Sequence, residues 1–243
     1  MQWFFIIFPA MLAGLVQGLT GFGTGIVLMI FLPAILPMST SAGVAALIPM
    51  VSIAIMVHRY HDALHFKRLI WPFLVYASVA TWSIHLGKVL DVTFLKLMLG
   101  CLLCVLSLYF LFVKSAANRH YPLVVAVIFT IISGFFNGLF GIGGPLMALY
   151  FLSLAESKET YMASIQTFFL IDMTYVTGVR LANGIFTPQD LPIILVGILG
   201  AVIGTIIANH LLTRLNLDVI RQIIYVFIGF SGVFYLVTSL QSI

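Results

Sequence analysis

Charge is scarce in this chain: Asp, Glu, Lys and Arg make up only 7% of its 243 residues. A soluble globular domain carries about 25%, so no water-facing surface can be assembled from this sequence. No stretch is polar enough for a separate soluble domain. The same scarcity removes the dense basic stripe of a nucleic-acid-binding protein, and the net charge of +4 reads instead as information about membrane topology. Cysteine is limited to Cys101 and Cys104, within the apolar run MLGCLLCVL. A single CxxC with no second pair and no electropositive surround predicts small packing residues on a helix face, not redox or metal chemistry. There is no HExxH, no nucleotide-binding fingerprint and no ATP-hydrolysing motif. An enzyme is therefore not expected, no cofactor is implied, and energy for any transport would come from gradients or a partner. Met1–Ala13 lacks a basic n-region and runs directly into more apolar sequence, unlike a cleaved signal peptide.

What the chain has in abundance is apolar sequence. Hydrophobic residues make up 62%, and the mean hydropathy is +1.19. The apolar runs are far longer than barrel strands, which predicts an all-α polytopic membrane protein embedded in the lipid bilayer. The runs are 2–36, 42–57, 69–86, 94–113, 122–154, 161–179, 191–212 and 222–240. Six have single-helix length. Run 2–36 as one helix would measure about 52 Å against a hydrocarbon core of about 30 Å, and run 122–154 has the same excess.

Both long runs carry the same motif. Residues 14–32 read GLVQGLTGFGTGIVLMIFL and residues 134–152 read GFFNGLFGIGGPLMALYFL. Gly14, Gly18, Leu19, Gly21, Gly23, Phe31 and Leu32 recur 120 positions later as Gly134, Gly138, Leu139, Gly141, Gly143, Phe151 and Leu152. Gln17 stands in register with Asn137. Each run is predicted to break into two helical segments, at Thr20–Thr24 and Phe140–Gly144. A glycine break repeated once per half points to a transporter of internal repeats with its site at the breaks. The chain divides into a first repeat, 1–118, and a second, 119–243, within one integrated transmembrane domain. Each repeat has one broken run and three transmembrane helices. The offset of 121 that matches Ala42 with Ala163 also matches Arg59 with Arg180.

Cations favour inversion of the repeats. If each broken run crosses once, the halves are parallel. Arg59, Lys67, Arg68, Lys114, Arg119 and Arg180 then face Lys88, Lys96, Lys158, Arg214 and Arg221, six against five. If each run enters and returns, the halves are inverted. Arg59, Lys67, Arg68, Lys114, Arg119, Lys158, Arg214 and Arg221 then face only Lys88, Lys96 and Arg180, eight against three. Basic residues in short loops favour the cytoplasmic side, so the inverted arrangement explains the charges and places both termini outside. Whether the broken runs are re-entrant or two full spans is left open.

The breaks suit an anion. The first amides of a helix have no intrahelical partner, and the dipole favours negative charge there. Glycine lets backbone approach a ligand closely. Pro145 fits the first turn of a new helix, Thr24 is expected to cap its counterpart and offer a hydroxyl, and Gln17 and Asn137 each add an amide. The candidate binding set is Gln17, Thr20, Gly21, Gly23, Thr24, Asn137, Gly141, Gly143 and Gly144. The competing reading is that the glycines only permit tight helix crossings, a role also expected of Gly197, Gly200, Ala201, Gly204 and Ala208. Asp172, well inside a span, is the candidate coupling residue, carrying a proton or supporting a broken helix. Arg59 and Arg180 are candidate entrance residues that attract anions at two mouths, or else helix-end cations snorkelling to the interface. His58, His61 and His65 have helical spacing, but a short basic edge loop favours solvation over a metal site.

The doubled glycine motif, chain size and scarcity of charge resemble the TauE/SafE sulfite exporter family. The match rests on Gly14, Gln17, Gly18, Gly21, Gly23 and Gly25, and on Gly134, Asn137, Gly138, Gly141, Gly143, Gly144 and Pro145, so it covers essentially the whole chain. The resemblance implies a secondary transporter of sulfite, an organosulfonate or a related small sulfur oxyanion; the cell inner membrane is the expected location, with the termini periplasmic by the cation count. Protons are the candidate coupling partner, and a homodimer is compatible with the sequence. A channel-like facilitator for small anions or neutral solutes is the alternative. Gly23-Thr24-Gly25 stands where the second repeat has Gly143-Gly144-Pro145, so the two breaks are expected to differ chemically.

Overall fold

In the computed structural model the chain is a bundle of α-helices, with no strand among the described residues, which are 4–20, 22–112, 122–185, 187–211 and 217–241. In chain order the helices are α1 (Phe4–Thr20), α2 (Thr24–Phe31), α3 (Met38–Leu47), α4 (Met50–Tyr60), α5 (Lys67–Val89) and α6 (Val92–Phe112). They continue with α7 (Leu123–Phe140), α8 (Gly144–Leu154), α9 (Lys158–Ala182), α10 (Leu191–Leu211) and α11 (Leu217–Leu240). Among the described residues, five stretches are long and apolar enough to cross a membrane: Met38–Ala63, Lys67–Val89, Val92–Phe112, Leu191–Ala208 and Gln222–Leu240. The outer surface carries large apolar side chains such as Trp71, Trp82, Phe230 and Phe234, as a lipid-facing surface requires. This is a polytopic helical membrane protein.

Both long runs break where the glycines predict. α1 ends at Thr20 and α2 starts at Thr24; α7 ends at Phe140 and α8 starts at Gly144. The second arms are short. α2 has 8 residues and α8 has 11, about 12 and 16 Å at 1.5 Å per residue. Neither reaches the thickness of a hydrocarbon core, about 30 Å, by itself.

Run 42–57, expected as one helix, is two. α3 stops at Leu47 and α4 starts at Met50. Pro49 supplies the reason: it has no N–H for the helical ladder, and its ring crowds the preceding turn. α6 opens on an exposed Asp91 whose carboxylate accepts from the backbone N–H of Thr93 at 2.7 Å and Phe94 at 3.2 Å. The Phe94 and then the Thr93 amide hold that carboxyl below its usual range. That support is present above the ordinary Asp pKa and is lost as pH falls through the lowered value.

Packing is reciprocal between the two parts of the chain. α1 lies along α10 and α7 lies along α5, while α6 pairs with α11 and α4 with α9. The repeat glycines make the first two contacts. A Cβ on Gly14 would run into the Ala201 backbone, and one on Gly18 into Ala208. Their counterparts Gly134 and Gly138 meet the Tyr76 backbone and Ala80–Ser83 in the same way. Gly200 and Gly204 press on the α1 backbone at Ile7 and Met11, so the expected small-residue stripe of α10 serves close packing. Gly100, Gly229 and Gly232 do the same between α6 and α11. Cys104 is half-buried there, but Cys101 is exposed, so only one of the two cysteines is a packing residue.

Gly21, Lys114, Arg119, Arg214, the 118/119 repeat boundary and the outermost residues at both ends lie outside the described residues.

Candidate functional site

Two breaks that are far apart in sequence meet around one small cavity of about 40 Å3. One water needs about 10–15 Å3 of such space, so the cavity has the scale of a small ion or a few waters. From the first break it is lined by Gln17, Phe22, Gly23, Thr24 and Gly25. The second contributes Asn137, Gly141, Gly143 and Gly144. Ala45, Pro49 and Ile53 approach from α3 and α4, Tyr76 from α5, and Phe169, Asp172 and Met173 from α9.

The breaks take this shape because glycine permits it. Gly23 has φ 104° and Gly141 φ 68°, left-handed values that favour glycine. Gly141 donates its N–H to the Asn137 carbonyl at 2.8 Å, closing α7. The first amides of α2 and α8 have no intrahelical partners, and Thr24, Gly25 and Gly144 bring these helix starts to the cavity wall. A Cβ on Gly143 would strike the Tyr76 hydroxyl, and one on Gly25 the Gly141 carbonyl. The two breaks touch through backbone.

Side chains complete a buried polar centre. Asp172 is 3% exposed. Its carboxylate accepts from Asn137 Nδ2 at 3.1 and 3.2 Å and from the Tyr76 hydroxyl at 3.5 Å. Tyr76 is fully buried, with its ring held edge-on to Phe168 at 5.0 Å. Thr24 donates its hydroxyl to Gln17 Oε1. Arg180, 1% exposed, donates Nη2 to the carbonyls of Asn137 at 3.1 Å and Gly138 at 2.9 Å. A cation at the carbonyl end of α7 complements the helix dipole.

These placements sort the residues expected from sequence. Gln17, Gly23, Thr24, Asn137, Gly141, Gly143, Gly144 and Asp172 gather at one cavity. Thr20 closes α1, and Gly21 lies outside the described residues. Thr24 does not cap α2: it is the first helical residue, Gly23, which has no side chain, holds the cap position, and the Thr24 hydroxyl is turned to Gln17. Pro145 does sit in the first turn of α8. Asn137 spends its amide on Asp172. Arg180 is buried against α7, whereas an interfacial, snorkelling cation would be exposed. Arg59 is exposed and lines a separate cavity of about 270 Å3 that also reaches Gln17 and Gly18. His58 and His61 stack at 5.8 Å, and His61 lies 3.2 Å from exposed Asp62. No cluster of three metal-ligating side chains occurs among the described residues. Tyr76 is the functional-looking residue that sequence reasoning misses. A tyrosine in an apolar helix carries no signal of its partner 96 positions away.

Apolar spans, two broken helices and a buried polar pocket at their meeting point define a polytopic membrane protein of the broken-helix transporter class. The model of the family described as Sulfite exporter TauE/SafE matches residues 6–235, nearly the whole chain. The chain belongs to that family, and membership implies a membrane exporter of sulfite or related sulfur-containing anions. Comparison with curated proteins and comparison with solved structures each find no match.

Proposed function

We propose that this protein is a secondary transporter that moves sulfite, an organosulfonate or a related small sulfur oxyanion through the cavity between its two breaks. The observation that carries the reading is the convergence of Gly23–Gly25 and Gly141–Gly144 on one cavity. The amides at the starts of α2 and α8 and the Gln17 side chain supply donors to an oxyanion without the desolvation penalty of a second charge. Asp172 would repel an anion while ionised. A proton on Asp172 would relieve that repulsion, which links anion binding to proton binding. Asn137 and Tyr76 hold the carboxyl in place.

The two parts of the chain are read as inverted repeats, 1–118 and 119–243. The exchanged pairing of α1 with α10 and α7 with α5 supports this. So do two loop contacts. Arg68 donates to the Leu154 carbonyl at 3.3 Å and pairs with Glu156 at 3.2 Å. That sets it beside the start of α9 and Lys158. Lys88 donates to the Asn183 carbonyl at 3.2 Å, next to the end of α9. Parallel repeats would put Arg68 opposite Lys158 and Lys88 opposite Arg180. By the distribution of cations, the Arg59 side is cytoplasmic, the chain ends are periplasmic and the membrane is the cell inner membrane. The breaks then sit near the bilayer midplane.

The test is anion flux in liposomes holding the purified protein, with sulfite, sulfonates and sulfate offered with and without a pH gradient. Saturable flux of a sulfur oxyanion that responds to the gradient is expected. Asp172→Asn should keep anion binding and lose the response to the gradient. Flux that does not saturate would replace the transporter with a channel-like facilitator, and undiminished coupling in Asp172→Asn would remove that residue from the mechanism.

A further inference from the structure

Two cavities of very different size occupy equivalent places beside the candidate site. The cavity of about 270 Å3 is lined by Arg59, Gln17 and Gly18, with Thr205 on α10. The other, of about 10 Å3, is lined by Arg180 and Gly138, with Ile84 and Gly87 on α5. Arg59 and Arg180 correspond at the offset of 121, and Gly18 and Gly138 at 120. The helices α10 and α5 exchange roles in the reciprocal packing. One and the same place is open in one repeat and shut in the other.

Arg180 is what shuts the second. Its Nη2 bridges the carbonyls of Asn137 and Gly138 and ties the end of α9 to the end of α7. Nε and Nη1 of the same guanidinium are buried with no hydrogen-bond partner among the described residues. A permanently structural buried arginine would be expected to use all its nitrogens, because unsatisfied donors are costly. Arg59, in contrast, is exposed in the open cavity. The residues that share its cavity, Gln17 and Gly18, are the counterparts of Asn137 and Gly138.

We infer that Arg59 and Arg180 are reciprocal latches of an alternating-access cycle. In the state seen here Arg180 holds the α7 carbonyls and closes its side, while Arg59 stands off and leaves its side open. In the opposite state Arg59 takes the carbonyls of Gln17 and Gly18, and Arg180 lets go of Asn137 and Gly138. Exchange of one charge-assisted pair for an equivalent one keeps the two states close in free energy, so that both are populated. The inference rests on the inverted-repeat transporter reading above.

The test reads accessibility and needs no transported anion. In the full chain with Cys101 and Cys104 replaced by serine, a single cysteine reports each side: Met56→Cys in the open cavity, Ile84→Cys in the shut one. A hydrophilic maleimide is applied to both faces of reconstituted vesicles. Met56→Cys should label fast and Ile84→Cys slowly, the slow rate reading the minor state. Arg180→Gln should raise Ile84→Cys labelling relative to Met56→Cys by about tenfold or more, the effect of removing charge-assisted bonds from one state only. Arg59→Gln alters an exposed residue, so it leaves folding intact and gives an independent reading. It should slow Ile84→Cys labelling by about tenfold, because it destabilises the state in which that side opens. Labelling of Ile84→Cys that is unchanged or raised in Arg59→Gln overturns the latch, as does a folded Arg180→Gln protein that labels like the parent. A protein that moves no sulfur oxyanion yet shows these opposed shifts keeps the latch and loses only its substrate. A sulfite transporter whose labelling ignores both arginines loses the latch alone.

Discussion

At the scale of single residues, Asn137 and Gln17 are counterparts in sequence with different jobs. Asn137 donates twice to Asp172 and its carbonyl accepts from Arg180, so it joins the buried acid to the buried base. Gln17 accepts from Thr24 and stands between the small cavity and the large one. Asn137→Ala should therefore cost stability as well as flux. Removing bonds to a buried charged group is worth about 1.5–3 kcal/mol, readable as a lowered unfolding temperature in detergent. Gln17→Ala strands only the neutral Thr24 hydroxyl, so it should lower that temperature less and weaken anion binding. Equal loss of stability in the two variants would contradict the division of labour. The glycines permit a sharper test. Gly143→Val would drive a side chain into the Tyr76 hydroxyl, and Gly23→Val would force valine to φ 104°, a left-handed value that costs a β-branched residue about 1–3 kcal/mol. Each should abolish flux; unaltered affinity and flux in either folded variant would remove the breaks from the pathway.

At the scale of elements, the helix pairs rest on backbone-to-backbone contact. Gly204 on α10 leaves no room for a Cβ against the Met11 carbonyl and the Leu15 nitrogen of α1. Backbone cannot yield as a flexible side chain can. Gly204→Val should separate α1 from α10 and cost about 1–3 kcal/mol or more, seen as a lower melting temperature or loss of folded protein. A Cβ on Gly178 of α9, by comparison, would meet nothing within 4 Å. Gly178→Ala should raise stability by up to about 1 kcal/mol through helix propensity. The contrast checks whether contact, rather than glycine content, holds the pairs together. A Gly204→Val protein as stable as the parent would show that α1 and α10 can part without cost.

At the scale of the whole molecule, the loop contacts give the proposed inverted arrangement a testable consequence for sidedness. Arg68 reaches the loop before α9, and Lys88 the loop after it. Cysteines at Arg68 and Lys158 should share one face of the membrane, and cysteines at Lys88 and Asn183 the other. An impermeant maleimide added to intact cells should label the second pair and spare the first. Labelling of Lys158→Cys from outside together with Lys88→Cys would restore the parallel arrangement and undo the inverted one.

The class of protein, the doubled motif and the position of both breaks were all legible in the residues alone. Composition forbids a soluble surface, and glycine in an apolar run is readable without any knowledge of partners. The breaks at Thr20–Thr24 and Phe140–Gly144 could be located because they depend on local backbone freedom and helix length. The split at Pro49 was written in the sequence as well, but the run around it was short enough to pass for one helix. What each polar side chain does was settled by tertiary packing. Thr24 turns to Gln17, Arg180 folds inward to the carbonyls of α7, and Tyr76 meets Asp172 across two helices. Periodicity and propensity act over a few residues. These pairings join positions 7 to 96 residues apart, and they exist only because helix packing excludes water and leaves each buried polar group to find its partner in the protein.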